Sequence, residues 1–329
     1  MQPFSFRAMV LDCKKTHAQT DKYYLSDMFH ILPLATFMNL HEIFITNRYY
    51  HIKFKKGVKI LHILVCVKQV PNTTEIKMDP KTNTLDRSSA SAIINPYDIH
   101  AVEEAVKIKK QYGGKVSVLS MGPPQAKEVI KKCIEVGADS GYLLTDRSFA
   151  GSDTLATSYI LSMAIRRIIL VEPIDLLLCG KQAIDGDTAQ VGPGIASRLG
   201  IPQLTYVENI ASIDSQKHTI KIHRKIDNGY EVVESKLPCL LTVEKSINEL
   251  SYSPLPNMIR AAKYEPSVWG FADLEADISK MGLKGSPTSV RKIFPPKQRA
   301  GGEILEGQLD DVVQLLVGRL KGGLIACQQ

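Results

Sequence analysis

The residues best suited to chemistry lie in one stretch, Lys181-Gln182-Ala183-Ile184-Asp185-Gly186-Asp187-Thr188-Ala189-Gln190-Val191-Gly192-Pro193-Gly194. Gly186, Gly192 and Gly194 let backbone approach a ligand closely or take positive φ, and Pro193 suits the first turn of a helix, where its missing N–H is not needed. Thr188 and Gln190 can donate to a phosphate oxygen. Asp185 and Asp187 would repel a phosphate, so their expected work is to hold ribose hydroxyls, cap backbone N–H groups or fix the loop's shape. The stretch follows an apolar run, Ile174 to Cys179, and leads into a helix expected from about Pro193. Strand, glycine-rich loop and helix in that order set a phosphate at a helix N-terminus. The spacing is neither Gly-x-Gly-x-x-Gly nor the Gly-Lys-Ser/Thr loop, so an ordinary strand-to-helix connection stands beside nucleotide binding as a reading.

Other chemistry is sparse. His62 lies inside an apolar run and reads as a satisfied buried or edge residue, and Cys179 has no evident His partner. With no acid/base constellation, a bound cofactor would have to supply any reaction. The cysteines (Cys13, Cys66, Cys133, Cys179, Cys239, Cys327) form no Cys-x-x-Cys pair. That argues against a zinc or iron–sulfur site or a disulfide framework, and for a reducing compartment such as the cytoplasm.

The elements that must position the loop alternate. Ile60 to Val67 reads as a central strand buried on both faces, and Lys68 to Asn95 as a loop or short hairpin at its carboxyl edge. Pro96 opens a helix with an Ala101, Val102, Ala105, Val106, Ile108 stripe that stops at Gly113-Gly114. Lys115 to Met121 is a strand, a helix through Val129, Ile130 and Ile134 ends at Gly137, and Tyr142 to Leu144 is a short strand. A helix from about Asp153 follows, with Ser152 as a candidate N-cap and Leu155, Tyr159, Ile160, Met163 and Ile168 on its buried face. This alternation predicts right-handed βαβ units and a parallel sheet covered on both sides.

After Gly200 the pattern changes to antiparallel. Leu204 to Val207, His218 to Ile226 and Tyr230 to Lys236 read as strands, the last two joined by Asp227-Asn228-Gly229, and Pro238 to Val243 as a buried return. From Ser251 to about Arg299 apolar periodicity fades, which predicts an extended arm needing another surface, and a last helix, Asp310 to Leu320, ends at Gly322-Gly323.

The first 57 residues stand apart, with eight Lys+Arg against four Asp+Glu, +4 of the chain's +7. The remaining +3 is too weak a bias to suggest nucleic-acid binding. Residues 31–45 are too short and polar to span a bilayer. The segment reads either as a membrane or partner anchor or as translated upstream sequence, with the natural chain starting near Val58; the second is the expectation. The domains expected are then 1–57 as an extension, 58–250 as a nucleotide-binding unit, and 251–329 as a partner-binding arm.

Several motifs fall in one order: Ile63-Leu64-Val65-Cys66-Val67-Lys68-Gln69-Val70-Pro71, Asn95-Pro96-Tyr97-Asp98 with Ala101-Val102-Glu103-Glu104-Ala105, Ser120-Met121-Gly122-Pro123, Gly180 to Asp187, and Ser251-Tyr252-Ser253-Pro254-Leu255-Pro256-Asn257. In these the chain from Val58 onward resembles the electron transfer flavoprotein β subunit. The resemblance implies a doubly wound, mainly parallel, Rossmann-like α/β sheet with an added β-hairpin and a C-terminal arm ending in a helix. It implies a heterodimer with an α subunit that carries FAD, and an adenine nucleotide in the β subunit. That nucleotide is AMP in ordinary members. In electron-bifurcating members it is a second FAD, which takes a hydride from NADH and divides the electrons between the α-subunit flavin and ferredoxin or flavodoxin.

The form Asp-Gly-Asp-Thr-Ala-Gln-Val-Gly-Pro is similar to the bifurcating branch, and Gly186 and Ala189 leave room near the ligand, so FAD is expected over AMP. Carried over by position, the nucleotide contacts are Cys66, Asn95, Pro96, Tyr97, Asp98, Met121, Asp185, Gly186, Asp187, Thr188, Ala189, Gln190, Val191, Gly192, Pro193, Gly194, Ile195 and Ala196. Leu255, with Pro256 and Asn257, matches the loop that anchors a partner dehydrogenase of the acyl-CoA type. Arg260 stands where some members have a methylatable Lys. A nucleotide-binding regulatory protein similar to universal stress proteins is the competing class, and the arm beyond Ser251 argues against it.

Overall fold

The computed structural model describes residues 61–72, 92–288, 302 and 304–326, and the backbone of four two-residue strand pieces at 45–46, 49–50, 77–78 and 85–86. Apart from two of those pieces, the expected extension 1–57 lies outside the described residues, as does most of 73–91 and of 289–303.

His62–Val67 (β1) is buried along its whole length, as an apolar run interrupted only by His62 predicts for a strand covered on both faces. Its alternate residues feed two cores. Ile63, Val65 and Val67 pack with helices α1 (Pro96–Tyr112) and α2 (Lys127–Val136), while Leu64 and Cys66 pack with α3 (Thr154–Val171) and α4 (Val191–Leu199). Short strands β2 (Gln69–Pro71) and β3 (Ala92–Ile94) pair antiparallel after β1, the hairpin expected there.

The remaining strands are β4 (Lys115–Met121), β5 (Ser140–Leu144), β6 (Leu176–Gly180), β7 (Gln203–Asp214), β8 (Thr219–Ile226), β9 (Gly229–Lys236), β10 (Cys239–Val243) and β11 (Ser267–Trp269). With β1 they form a nine-stranded sheet in the order β9-β8-β7-β10-β6-β1-β4-β5-β11. Every pair from β7 to β11 along that order is parallel, and β8 and β9 are added antiparallel at one edge. From β1 the chain runs outward to β4 and β5, then returns on the other side as β6. The strand order therefore reverses between β1 and β6, and their carboxyl ends open a crevice where ligands of doubly wound sheets bind.

Some expectations need correcting. Asp153, not Ser152, caps α3, its Oδ1 accepting from Leu155 N and Ala156 N at 2.9 and 3.0 Å. The Ser152 hydroxyl instead donates to Phe149 O. Leu155 is exposed, because the face of α3 that meets the sheet runs through Ala156, Ile160, Ala164 and Ile168, where small residues let the helix approach. α4 begins at Val191, two residues before Pro193. β7 is far longer than Leu204 to Val207 and is parallel to β10 before it turns antiparallel with β8.

Residues 251–288 do not wait for another surface. Helix α5 (Leu255–Ala262) packs on α2 through Ala261, and Arg260 Nη2 donates to Ile134 O and Ala138 O at 3.2 and 2.7 Å. Tyr264 Oη accepts from Gly141 N at 2.7 Å, β11 extends the sheet beyond β5, and Leu274 and Met281 bury in the α3 core. These anchors are single residues separated by polar spans, which is why no period marks them. The last helix, α6 (Leu309–Ala326), runs through Gly322-Gly323 and exposes Leu309, Val313, Leu315, Leu316, Val317 and Leu320.

Among the described residues one helix, α3, is long and apolar enough to cross a membrane by length and composition. Its Ile160, Leu161, Ala164, Ile165 and Ile168 are buried in the second core.

Candidate functional site

The crevice is closed at its floor by the first turn of α1. Pro96 at N1 spares that turn a donor, and Asn95 at the N-cap makes no side-chain cap. Its side chain reaches across instead: Nδ2 donates to Gln182 O at 2.8 Å and Oδ1 accepts from Ile184 N at 3.2 Å, while Asn95 N donates to Lys68 O. Asp98 does the same one turn on. Its Oδ2 accepts from Lys68 N at 2.7 Å, at the end of β1, and its Oδ1 from Gly180 N at 3.1 Å, at the end of β6. Burial pushes the Asp98 carboxyl up to about 7, against hydrogen bonds from Asn95, Lys68 N and Gly180 N and the nearby Lys68 charge, which pull it down. Gly180 is required by this approach: a Cβ there would stand 2.3 Å from Asp98 Oδ1 and 2.6 Å from Tyr97 Cβ.

The loop after β6 forms the rim. Lys68 Nζ pairs with both oxygens of Asp185 at 2.7 and 2.8 Å, and Gln182 Nε2 donates to Asp187 Oδ1 at 2.8 Å. The two acids thus fix the loop's shape, one of the roles expected of them. Gln190 Oε1 accepts from Thr154 Oγ1 at 2.8 Å, which ties the loop to α3. Asp187 and Ala189 hold φ of 50° and 53°, a left-handed backbone that costs non-glycine residues of order 1 kcal/mol or more each. Two such residues flanking exposed Thr188 mark backbone shaped for something other than its own stability. The loop ends at α4, whose N-terminus has no side-chain cap. Its uncapped N–H groups and dipole favour an anion.

The glycines divide by use. A Cβ on Gly186 would meet nothing within 4 Å, so this residue keeps the rim open. Gly192 and Gly194 serve packing: a Cβ on them would stand 2.6 Å from Thr242 Cγ2 and 2.8 Å from Ser158 Oγ. Ile195, Ala196 and Cys66 are core residues, and Cys66 lies in register with Cys179 across β1 and β6. The hydrogen bond between these two thiols and burial raise the Cys179 thiol well above its ordinary value, so it is no nucleophile at neutral pH. Met121 ends β4, the next strand along.

Whereas Gly192 and Gly194 pack against Thr242 and Ser158 and Ile195 and Ala196 are buried in the second core, the structure brings Cys66, Asn95 to Asp98, Met121 and the loop from Asp185 to Val191 to the carboxyl ends of β1, β4 and β6. Leu255, Pro256 and Asn257 are not there. They form the first turn of α5 on α2, where Leu255 is 68% exposed. The segment leading to it is held by the middle of α1. Asn248 Nδ2 donates to Glu104 Oε2 and to His100 O, both at 3.0 Å, and Ser251 Oγ to Glu103 Oε1 at 2.7 Å.

Several contributors had no role assigned to them from the sequence. Lys181 Nζ reaches Glu244 Oε1 at 2.9 Å, a hydrogen bond that raises the Lys181 pKa, and lies 5.0 Å from the Tyr206 ring centroid. Lys245 Nζ stands 4.6 Å over the ring of Tyr97. Lys68 could have been found as the residue leaving a central strand; Thr154 and Tyr206 are set by distant elements. Among the described residues no three His, Cys, Asp or Glu side chains form a group that could hold a metal ion.

A doubly wound sheet with these loops at its switch point places the chain in the Rossmann-like α/β class. The electron transfer flavoprotein domain matches residues 82–274, more than half of the chain. Protein FixA of Azotobacter vinelandii is 48% identical over 253 residues, 76% of this chain and 90% of that protein. The electron transfer flavoprotein subunit beta of Clostridium acetobutylicum is 44% identical over 261 residues, 79% of this chain and 98% of its own length. The caffeyl-CoA reductase-Etf complex subunit CarD of Acetobacterium woodii is 45% identical over 263 residues, 79% and 98%. The chain belongs to the electron transfer flavoprotein family, as a β subunit of the FixA-like branch.

Proposed function

We propose that this β subunit binds FAD in the crevice between β1 and β6 and works with an α subunit to pass electrons from NADH to the α-subunit FAD and an acyl-CoA-type dehydrogenase. The proposal includes bifurcation, with ferredoxin or flavodoxin taking the low-potential electron, and a cytoplasmic location. The observation that carries it is the rim loop: strained at Asp187 and Ala189, open at Gly186, and ending at the uncapped N-terminus of α4. These features suit the diphosphate of a dinucleotide, with the backbone from Thr188 to Gly192 as donors, since Gly186 N and Asp187 N already donate to Ala183 O, and with Thr188 as the exposed side chain. The similarity to CarD, named for an Etf complex with an acyl-CoA reductase, supports the dehydrogenase and the branch.

Bound FAD would accept an electron pair and release single electrons. The residues of this chain bind and orient it; none transfers a proton in the proposal. Small side chains at Gly186 and Ala189 favour FAD, and AMP is the alternative occupant. The test is to purify the chain with its α subunit and count nucleotides. Two FAD per heterodimer, both reduced by NADH, are expected; one FAD with one AMP would establish the alternative.

The proposed partner contacts use the surfaces left exposed. Leu255 presents an apolar side chain to the dehydrogenase, and α6, whose Leu309, Val313, Leu316 and Leu320 are exposed, covers part of the α subunit.

A further inference from the structure

Asp98 is 6% exposed, yet it sits between the two strands that border the crevice and holds both by their backbones. We propose that Asp98 is a positioning residue for the nucleotide: it sets the separation of the segments that leave β1 and β6 and so tunes affinity without touching the ligand. The inference rests on the nucleotide reading above.

Beyond Cys66 and Cys179, the last residues in register between β1 and β6, Lys68 N and Gly180 N have no partner from that pairing and need an acceptor. One carboxylate serves both, through different oxygens, and Gly180 has no side chain because there is no room for one. The clamp continues outward. Asn95 holds the loop at Gln182 and Ile184, and Lys68, whose N–H is held by Asp98, holds Asp185 with its amine. A change at Asp98 is thus passed to the rim on both sides.

The clamp needs the ionised carboxylate, which accepts at both oxygens. Protonation turns one oxygen into a donor facing an N–H. The titratable groups around Asp98 are few: the Lys68 amine from the segment after β1, and the thiols of Cys133 on α2 and Cys179 on β6, both raised further by the Asp98 charge. With burial holding the carboxyl near about 7, the clamp loosens as pH falls through neutrality.

The test is equilibrium dialysis of FAD against the heterodimer, α-site flavin retained, from about pH 5.5 to 8.5. FAD is the probe because a phosphate monoester titrates near 6 and would blur the profile. Wild-type affinity is expected to fall about tenfold from the alkaline to the acidic end, with a midpoint near about 7. Asp98→Asn, which turns an amide N–H toward one of the two backbone donors, is expected to bind about tenfold more weakly with no pH dependence. A wild-type profile flat across the range, or an Asp98→Asn protein that keeps the wild-type affinity and profile, overturns the inference. If that variant does not fold, the wild-type profile alone decides. A wild-type β subunit that takes up no FAD at any pH overturns the FAD reading of the crevice, a result distinct from binding without pH dependence.

Discussion

Lys68 and Asp185 meet across the crevice through both carboxylate oxygens, at 2.7 and 2.8 Å, joining the end of β1 to the rim loop after β6. Both side chains are partly exposed, so the pair contributes less than about 1 kcal/mol to folding. Its larger effect is on the site. Lys68→Met leaves Asp185 uncompensated beside the place proposed for phosphates. The expected result is an unchanged denaturation midpoint and a several-fold loss of FAD retention in dialysis, smaller at high salt.

Gly180 and Gly186 make opposite predictions for the same substitution. Gly180→Ala drives a methyl group into Asp98 and Tyr97 and should cost about 1–3 kcal/mol or more by urea denaturation. Gly186→Ala meets open space and should stay within about 0.5 kcal/mol. Equal effects would refute the packing described for α1.

His62 predicts how stability follows pH. Burial holds its pKa below 6.5, despite Glu172, whose charge pulls the other way. Pro173 O can only accept, so Nδ1 carries the proton, and Nε2 accepts from the Ser117 hydroxyl at 2.8 Å. The fold therefore prefers neutral His62. Its contribution is full above 6.5, the unfolded value, and is lost as pH falls below it toward the lower folded value. Asp98 works in the opposite sense: its folded value is raised, so its contribution is full below 3.8 and is lost as pH rises through about 7. Urea midpoints between pH 5 and 8 should show His62→Gln losing the acid-side decline and Asp98→Asn losing the opposing term.

Leu255→Ala should lower kcat/KM for the dehydrogenase by about 30-fold, the scale of an interface anchor, with flavin content unchanged. Loss of flavin together with activity would place Leu255 in the fold of the site instead.

Strand and helix order through Val243 was legible because each element carries its own period: β1 as an apolar run interrupted only by His62, α1 as a stripe closed by two glycines, β8 and β9 as alternating runs about Asn228. The carboxyl-end placement of the Lys181 to Gly194 loop followed from that order alone. What was not legible depends on contacts between distant residues. α5 and β11 fold on single anchors such as Ala261 and Trp269, which no local pattern announces. The work of Asp98 is hidden for the same reason, since a carboxylate in a first helical turn looks like ordinary dipole compensation until Gly180, 82 residues away, is brought against it.

α1 also carries more than the crevice. Asp98 clamps the strand ends, and His100, Glu103 and Glu104 hold Asn248 and Ser251 at the root of the Leu255 segment. At 1.5 Å per residue the two sets of ties lie within about 9 Å on one rod. A rod cannot be shifted at one end alone. Whatever displaces α1 at the flavin's proposed seat also moves the footing of Leu255, the apolar tip proposed for the dehydrogenase, so the same helix would couple the two proposed surfaces.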